Sequence, residues 1–182
     1  MTQSIEIKRD CEAIQIPYGN TITARAGTFV SLMHNLGDTF TVRTDQGYLL
    51  RIDAKDADAL GLDTPASATP SAATDPNARV TDDMLWEVLK TCYDPEIPAN
   101  IVELGLIYAV EALPKEGGGT RVEISMTLTA PGCGMGQVLK EDIERKVMAL
   151  SGVAEVDVEL VFDPPWDPSM MSEAARLQLG MM

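Results

Sequence analysis

Residues 63–79 read Asp-Thr-Pro-Ala-Ser-Ala-Thr-Pro-Ser-Ala-Ala-Thr-Asp-Pro-Asn-Ala-Arg, and no single core can run through them. Three prolines among Ala, Ser and Thr offer little apolar surface to bury, so the stretch predicts a flexible or partly extended tether. It cuts the 182 residues into an N-terminal domain, 1–62, and a C-terminal domain, 80–182. A hydrophobic content of 45% is enough for packed cores. Aromatics are only 5%, so those cores must rest on Val, Ile, Leu, Met and Ala.

The two sides of the tether have different periods. Before it, short strands are expected at Cys11–Ile16, Thr28–Leu36, Phe40–Arg43 and Tyr48–Ile52. They are separated by Tyr18-Gly19-Asn20, Ala26-Gly27, Leu36-Gly37-Asp38 and Asp45-Gln46-Gly47, all rich in turn formers. Such spacing predicts a small all-β, barrel-like domain that protects its own sheet edges, with a helical turn at Asp56–Leu60. After the tether, Met84, Leu85, Val88, Leu89 and Cys92 recur at helical spacing behind Thr81, a candidate N-cap. Strands follow at Leu106–Ala112 and Arg121–Thr129, joined through the glycine-rich loop Pro114–Thr120. A helix over Gln137–Leu150 then leads to a third strand through Ala154, Val156, Val158, Leu160 and Phe162. Strand–helix–strand order implies a right-handed crossover and a parallel pair. Asp167-Pro168 reads as the start of a last helix. The C-terminal domain is therefore expected to be a compact α/β sandwich on a three-stranded mixed sheet.

The formal charge of −14 disfavours nucleic acid, because no basic cluster offsets the repulsion from phosphates. Residues 80–182 carry eighteen acids and seven bases, an excess that reads as a solvated face or a docking face for a basic partner. No apolar run approaches the ~20 residues of a membrane helix. The opening residues lack a basic region followed by an apolar one, so no signal peptide is expected. Three cysteines, Cys11, Cys92 and Cys133, do not make a disulfide framework and fit a reducing cytoplasm.

Cys133 stands between Gly132 and Gly134 where a strand hands over to a helix. Unpaired backbone N–H groups and the positive end of the helix dipole gather at such a junction and favour a thiolate. Spacing alone leaves open a second reading, a small apolar residue buried in a tight turn. No CxxC pair is present, and the only histidine, His34, lies in the other domain. A closed zinc site and a Cys–His nucleophile are both poorly served by that arrangement. An iron–sulfur cluster needs four ligands. Were Cys133 one of them, the rest would come from a second subunit, a partner, a small thiol or carboxylates, which suits a transient carrier.

The run Asp94-Pro95-Glu96-Ile97-Pro98, with Val102-Glu103-Leu104-Gly105-Leu106-Ile107-Tyr108 after it, resembles the metal–sulfur (iron–sulfur) cluster assembly family that includes SufT, PaaD and the eukaryotic cytosolic cluster-targeting factors. Thr127-Leu128-Thr129-Ala130-Pro131-Gly132-Cys133 resembles that family's cysteine loop, and Asp163-Pro164-Pro165-Trp166 with Met170-Met171-Ser172 its C-terminal signature. The N-terminal domain looks like the extra N-terminal part of SufT. The resemblance implies a non-enzymatic, auxiliary role in maturing iron–sulfur proteins. It implies Cys133 as the residue that holds a transient cluster or iron, with Asp94 and Glu96 as supporting carboxylates. Partners would be the cluster assembly machinery and apoprotein clients, with a homodimer as one way to complete the ligation. Glu103 and Trp166 are candidates for facing a partner, although turn formation and core filling are the blander uses of both. A metal-free adaptor and an assembly subunit for one client oxygenase are the competing functions.

Overall fold

The computed structural model describes residues 4–36, 38–63, 78–94, 96–132 and 134–181. The expected tether lies outside these except at residues 63, 78 and 79, and Cys133 lies outside them too. The chain divides into two compact units, Met1–Ala68 with Pro95–Pro98, and Thr69–Asp94 with Ala99–Met182.

The first unit holds strands β1 (Ser4–Glu6), β2 (Cys11–Ile16), β3 (Asn20–Ala24), β4 (Phe29–Leu36), β5 (Thr39–Thr44) and β6 (Leu49–Asp53), then a 3-10 helix at Ala54–Leu60. All pairings are antiparallel, in the order β1-β4-β5-β6-β2-β3. Among the described residues β1 and β3 remain the two edges, so the sheet is not a closed barrel. It nevertheless wraps one core, because Ile5 and Ile7 from one edge share an apolar cluster with Ile22 and Ala24 from the other. Phe40, Val42, Leu50 and Ile52 fill its centre. The four expected strands are present, while β1 and β3 were not foreseen. β3 starts on Asn20, a turn former, and turns only Ile22 and Ala24 inward.

Arg9 pins this sheet to its 3-10 helix. Its Nε and Nη2 donate to both carboxylate oxygens of Asp58 at 2.8 and 2.7 Å, and Nη2 also reaches Asp56 at 2.8 Å. The hydrogen bond from Arg9 holds the Asp58 carboxyl below its ordinary pKa. A depressed carboxyl contributes stability that is complete above its unfolded value, near 3.8, and fades as pH falls through the folded one. Asp58→Asn should therefore lower the urea midpoint of this unit by a constant margin above about pH 4, with the margin closing on acidification. Far-UV circular dichroism at several pH values checks this; a gap that widens in acid would contradict it.

The second unit holds α1 (Asp82–Leu89), β7 (Ile107–Pro114), β8 (Thr120–Met126), α2 (Met135–Met148), β9 (Val153–Leu160), a 3-10 turn (Pro168–Met170) and α3 (Glu173–Gln178). β7 and β8 form an antiparallel hairpin, and β8 pairs in parallel with β9 through the α2 crossover. Val122, Ile124 and Met126 alternate inward from β8 and are buried, as are Val158 on β9, Leu139, Ile143 and Val147 on α2, and Leu85 and Leu89 on α1. Thr81 caps α1 as expected, accepting from the Met84 amide. Gly152 leads into β9 and lies against Ala78: a Cβ there would sit 2.0 Å from the Ala78 carbonyl oxygen. The Thr120 amide donates to the Gly152 carbonyl at 2.7 Å, so residue 78 meets the sheet where β8 and β9 begin.

The last helix does not open at Asp167-Pro168. Asp167 caps only the 3-10 turn, accepting from the Ser169 amide, and Met171 returns to extended angles with its side chain buried. Ser172 then caps α3, accepting from the Ala175 amide. The segment is strapped to residues 103–108. Trp166 Nε1 donates to the Leu104 carbonyl at 2.9 Å, the Ser172 amide to the Glu103 carbonyl at 2.8 Å, and the Tyr108 hydroxyl to the Pro164 carbonyl at 2.8 Å. Gly105 makes the approach possible: its φ is +70°, and a Cβ would meet the Met170 carbonyl oxygen at 2.2 Å. Gly105→Ala should thus cost about 2 kcal/mol or more, from left-handed strain plus a backbone clash. Both tryptophans of the chain, Trp86 and Trp166, belong to this unit, so their fluorescence in urea reports it alone. An unchanged midpoint would refute the close approach.

Candidate functional site

The loop that carries Cys133 has well-defined feet. β8 ends at Met126 rather than running to Thr129, because the main chain changes partners there. The Met126 carbonyl accepts from the Val161 amide at 2.8 Å, while the Thr127 amide donates to the Leu106 carbonyl at 2.8 Å. Leu128 is buried and fills the space beside Gly136, whose Cβ, if present, would lie 2.5 Å from the leucine Cδ1. The two feet of the loop therefore touch. Gly132 takes a positive φ of 80°. Gly134 is the N-cap of α2 and has no side chain to accept from the first turn, which also carries no acid. Thr81 and Ser172, by contrast, cap α1 and α3. Arg145 and Lys146 occupy the last turn of α2, matching its negative end, while no acid offsets its positive end. Such surroundings favour an anionic group, a thiolate among them.

The acidic run springs from the same place. Tyr93 bridges Asn100, the Asp94 amide donates to the Ala99 carbonyl at 3.3 Å, and the Ile101 amide to the Cys92 carbonyl at 2.9 Å. The Leu106 amide then donates to Ile101 at 3.0 Å, and the Leu106 carbonyl receives Thr127. A continuous hydrogen-bonded path thus joins the root of the acidic run to the root of the cysteine loop. Asp94 is half-buried beside that root, and Glu96 is exposed within Pro95–Pro98, which groups with the first unit. Among the described residues no three of His, Cys, Asp and Glu gather as a metal site.

Glu103 and Trp166 are engaged within the chain. The Glu103 carboxylate accepts from the Ser172 hydroxyl, its amide donates to Asn100 Oδ1 at 2.8 Å, and Trp166 spends its N–H on Leu104. Both side chains are half-buried and hold the C-terminal strap. Cys11 and Cys92 are buried thiols. Burial raises the pKa of Cys11, and Cys92 Sγ lies 3.8 Å from the Val88 carbonyl oxygen. His34 sits on β4 opposite Thr41, in the other unit from the cysteine loop. Thr127 was not singled out by sequence reasoning. Alternation from Val122, Ile124 and Met126 assigns it to the polar face with Glu123 and Ser125, yet it is buried.

Comparison with known proteins places this geometry. A family model described as iron–sulfur cluster assembly protein matches residues 82–158. The Fe-S protein maturation auxiliary factor of Porphyromonas gingivalis is 43% identical over 102 residues, covering 56% of this chain and 93% of that protein. The Fe-S protein maturation auxiliary factor SufT of Staphylococcus aureus is 36% identical over 88 residues, covering 48% of this chain and 96% of its own length. That SufT is thus spanned almost whole by about half of this chain. Among solved structures, the crystal structure of a domain of unknown function from Bacillus anthracis is similar with a TM-score of 0.50 and 32% identity, over 56% of this chain and 92% of that one. The chain belongs to the iron–sulfur cluster assembly protein family.

Proposed function

We propose that this chain is an auxiliary factor in the maturation of iron–sulfur proteins, carrying iron or a labile cluster on Cys133 and passing it to apoproteins. The observation that supports this most is the pair of feet under the cysteine loop: a strand end and a helix start without a side-chain cap or an acid in its first turn, brought into contact at Leu128 and Gly136. That arrangement favours an anionic sulfur, and the family relationship supplies the metal. The cluster is cargo. One cysteine provides one corner of its ligation, so the other ligands come from a second subunit, a small thiol or the recipient, and such shared ligation makes release easy. Asp94 and Glu96, on the run whose root is tied to Thr127, assist as outer carboxylates. The partners are then the assembly machinery and the apoproteins it serves, and the cytoplasm, where thiols stay reduced, is where the chain works.

Anaerobic reconstitution with iron and sulfide should give a visible chromophore that Cys133→Ala loses while keeping its urea midpoint. An unchanged spectrum in that variant would remove Cys133 as a ligand. A variant that lost the chromophore role yet still complemented a deletion strain would favour a metal-free adaptor. Asp94→Asn combined with Glu96→Gln should weaken iron retention about tenfold, the size seen when outer-shell partners of a metal site are removed. Retention equal to wild type would leave both carboxylates as turn formers.

A further inference from the structure

A strand at the edge of a sheet turns a row of N–H and C=O groups outward, and proteins blunt such rows with short strands, bulges, prolines or lysines. Among the described residues the edges are β1, β3, β7 and β9. β1 has three residues and β3 five. β7 has a register break between Ile107 and Ala109 and ends on Pro114. β9 carries none of these devices: it runs eight residues, without proline or lysine, in unbroken register with β8 from Glu155 to Leu160. Just beyond it, the Val161 amide donates to the Met126 carbonyl at 2.8 Å, so residue 161 turns its main chain toward β8. By strand alternation Glu159, Asp157 and Glu155 do the same, and Val156, Val158 and Leu160 turn their N–H and C=O groups outward. Those outward groups have no hydrogen-bond partner among the described residues.

The side chains of β9 determine what kind of strand fits beside it. Val156, Val158 and Leu160 lie on the face that α2 covers, Val158 fully buried and the other two half-buried. Apolar residues at alternate positions of an added strand would continue that face. Glu155, Asp157 and Glu159 stand on the other face. Lys115 and Arg121 reach Glu155 at 2.8 and 3.7 Å, and Arg121 reaches Asp157 at 3.4 Å. Glu159 has no ion pair among the described residues. A second copy of β9 laid antiparallel along the edge would set acid against acid, which is destabilising, whereas Lys or Arg at alternate positions would be stabilised there.

We infer that the free edge of β9 is a docking edge for an extended basic segment of a partner protein, which joins the three-stranded sheet as a further strand. Main-chain hydrogen bonds to Val156, Val158 and Leu160 hold the segment, and Glu155, Asp157 and Glu159 select its charge. The inference stands apart from the carrier reading, and no metal enters it.

The test follows amide hydrogen exchange by NMR in the full chain, with a short peptide of alternating Lys and Val as the probe. The peptide should slow exchange most at Val156, Val158 and Leu160. Its fully N-methylated counterpart, which keeps the charge but cannot donate to a ladder, should not. Asp157→Lys combined with Glu159→Lys changes only exposed side chains; it should weaken the basic peptide about tenfold and admit a peptide of alternating Glu and Val. Absence of slowing at these three amides would overturn the inference. Equal binding of the methylated peptide would also overturn it, by reducing the contact to attraction between surface charges. So would a dimer in sedimentation whose β9 edge amides are already protected without peptide, because a second copy would then occupy the edge.

Discussion

The 2.8 Å hydrogen bond from the Thr127 amide to the Leu106 carbonyl organises the C-terminal unit. It is the point at which β8 leaves its ladder, and it fixes residues 99–106 against the sheet. On one side those residues close the root of the acidic run through Cys92 and Asp94. On the other they receive the strap through Glu103, Leu104 and the cleft beside Gly105. Three chain segments far apart in sequence thereby share one anchor.

Charge is handled differently on the two faces of this sheet. The inner face is apolar and covered by α1 and α2. On β8 and β9 the other set of residues pairs Arg121 with Glu155 and places Glu123 opposite Asp157, two like charges in register. Arg121 lies 2.9 Å from Glu123, 3.4 Å from Asp157 and 3.7 Å from Glu155, and Lys115 reaches Glu155 at 2.8 Å. Individually such exposed pairs contribute little. Together they relieve a repulsion that strand register would otherwise impose, and they let the unit stay strongly acidic without weakening its sheet.

Elements with strong periodicity were legible: β2, α1 with its Thr81 cap, and the β8–α2–β9 crossover. What escaped was set by distant partners. β1 has three residues and exists because β4 accepts it; β3 carries Thr21 and Thr23 outward and has little apolar signal of its own. Pairing of β2 with β6 closes the N-terminal core, and nothing local announces it. The strap misled sequence reasoning for a physical reason: Asp167-Pro168 is a sound helix start, but burial of Met171 and the approach of Met170 to Gly105 pull the chain extended before Ser172 can begin again. At the site, the glycine-flanked cysteine and the acidic run were visible as motifs. Their shared root and the buried hydroxyl of Thr127 were not, since both depend on which carbonyl receives one amide.

The seating of Ala78 on Gly152 has a mechanical consequence. Residue 78 meets the domain where β8 and β9 begin, and β8 then runs seven residues, about 23 Å at ~3.3 Å per residue, to the foot of the cysteine loop. Movement of residue 78 bears first on the turn at Gly152 and the start of the parallel pair. The feet of the loop lie at the other end of the load path.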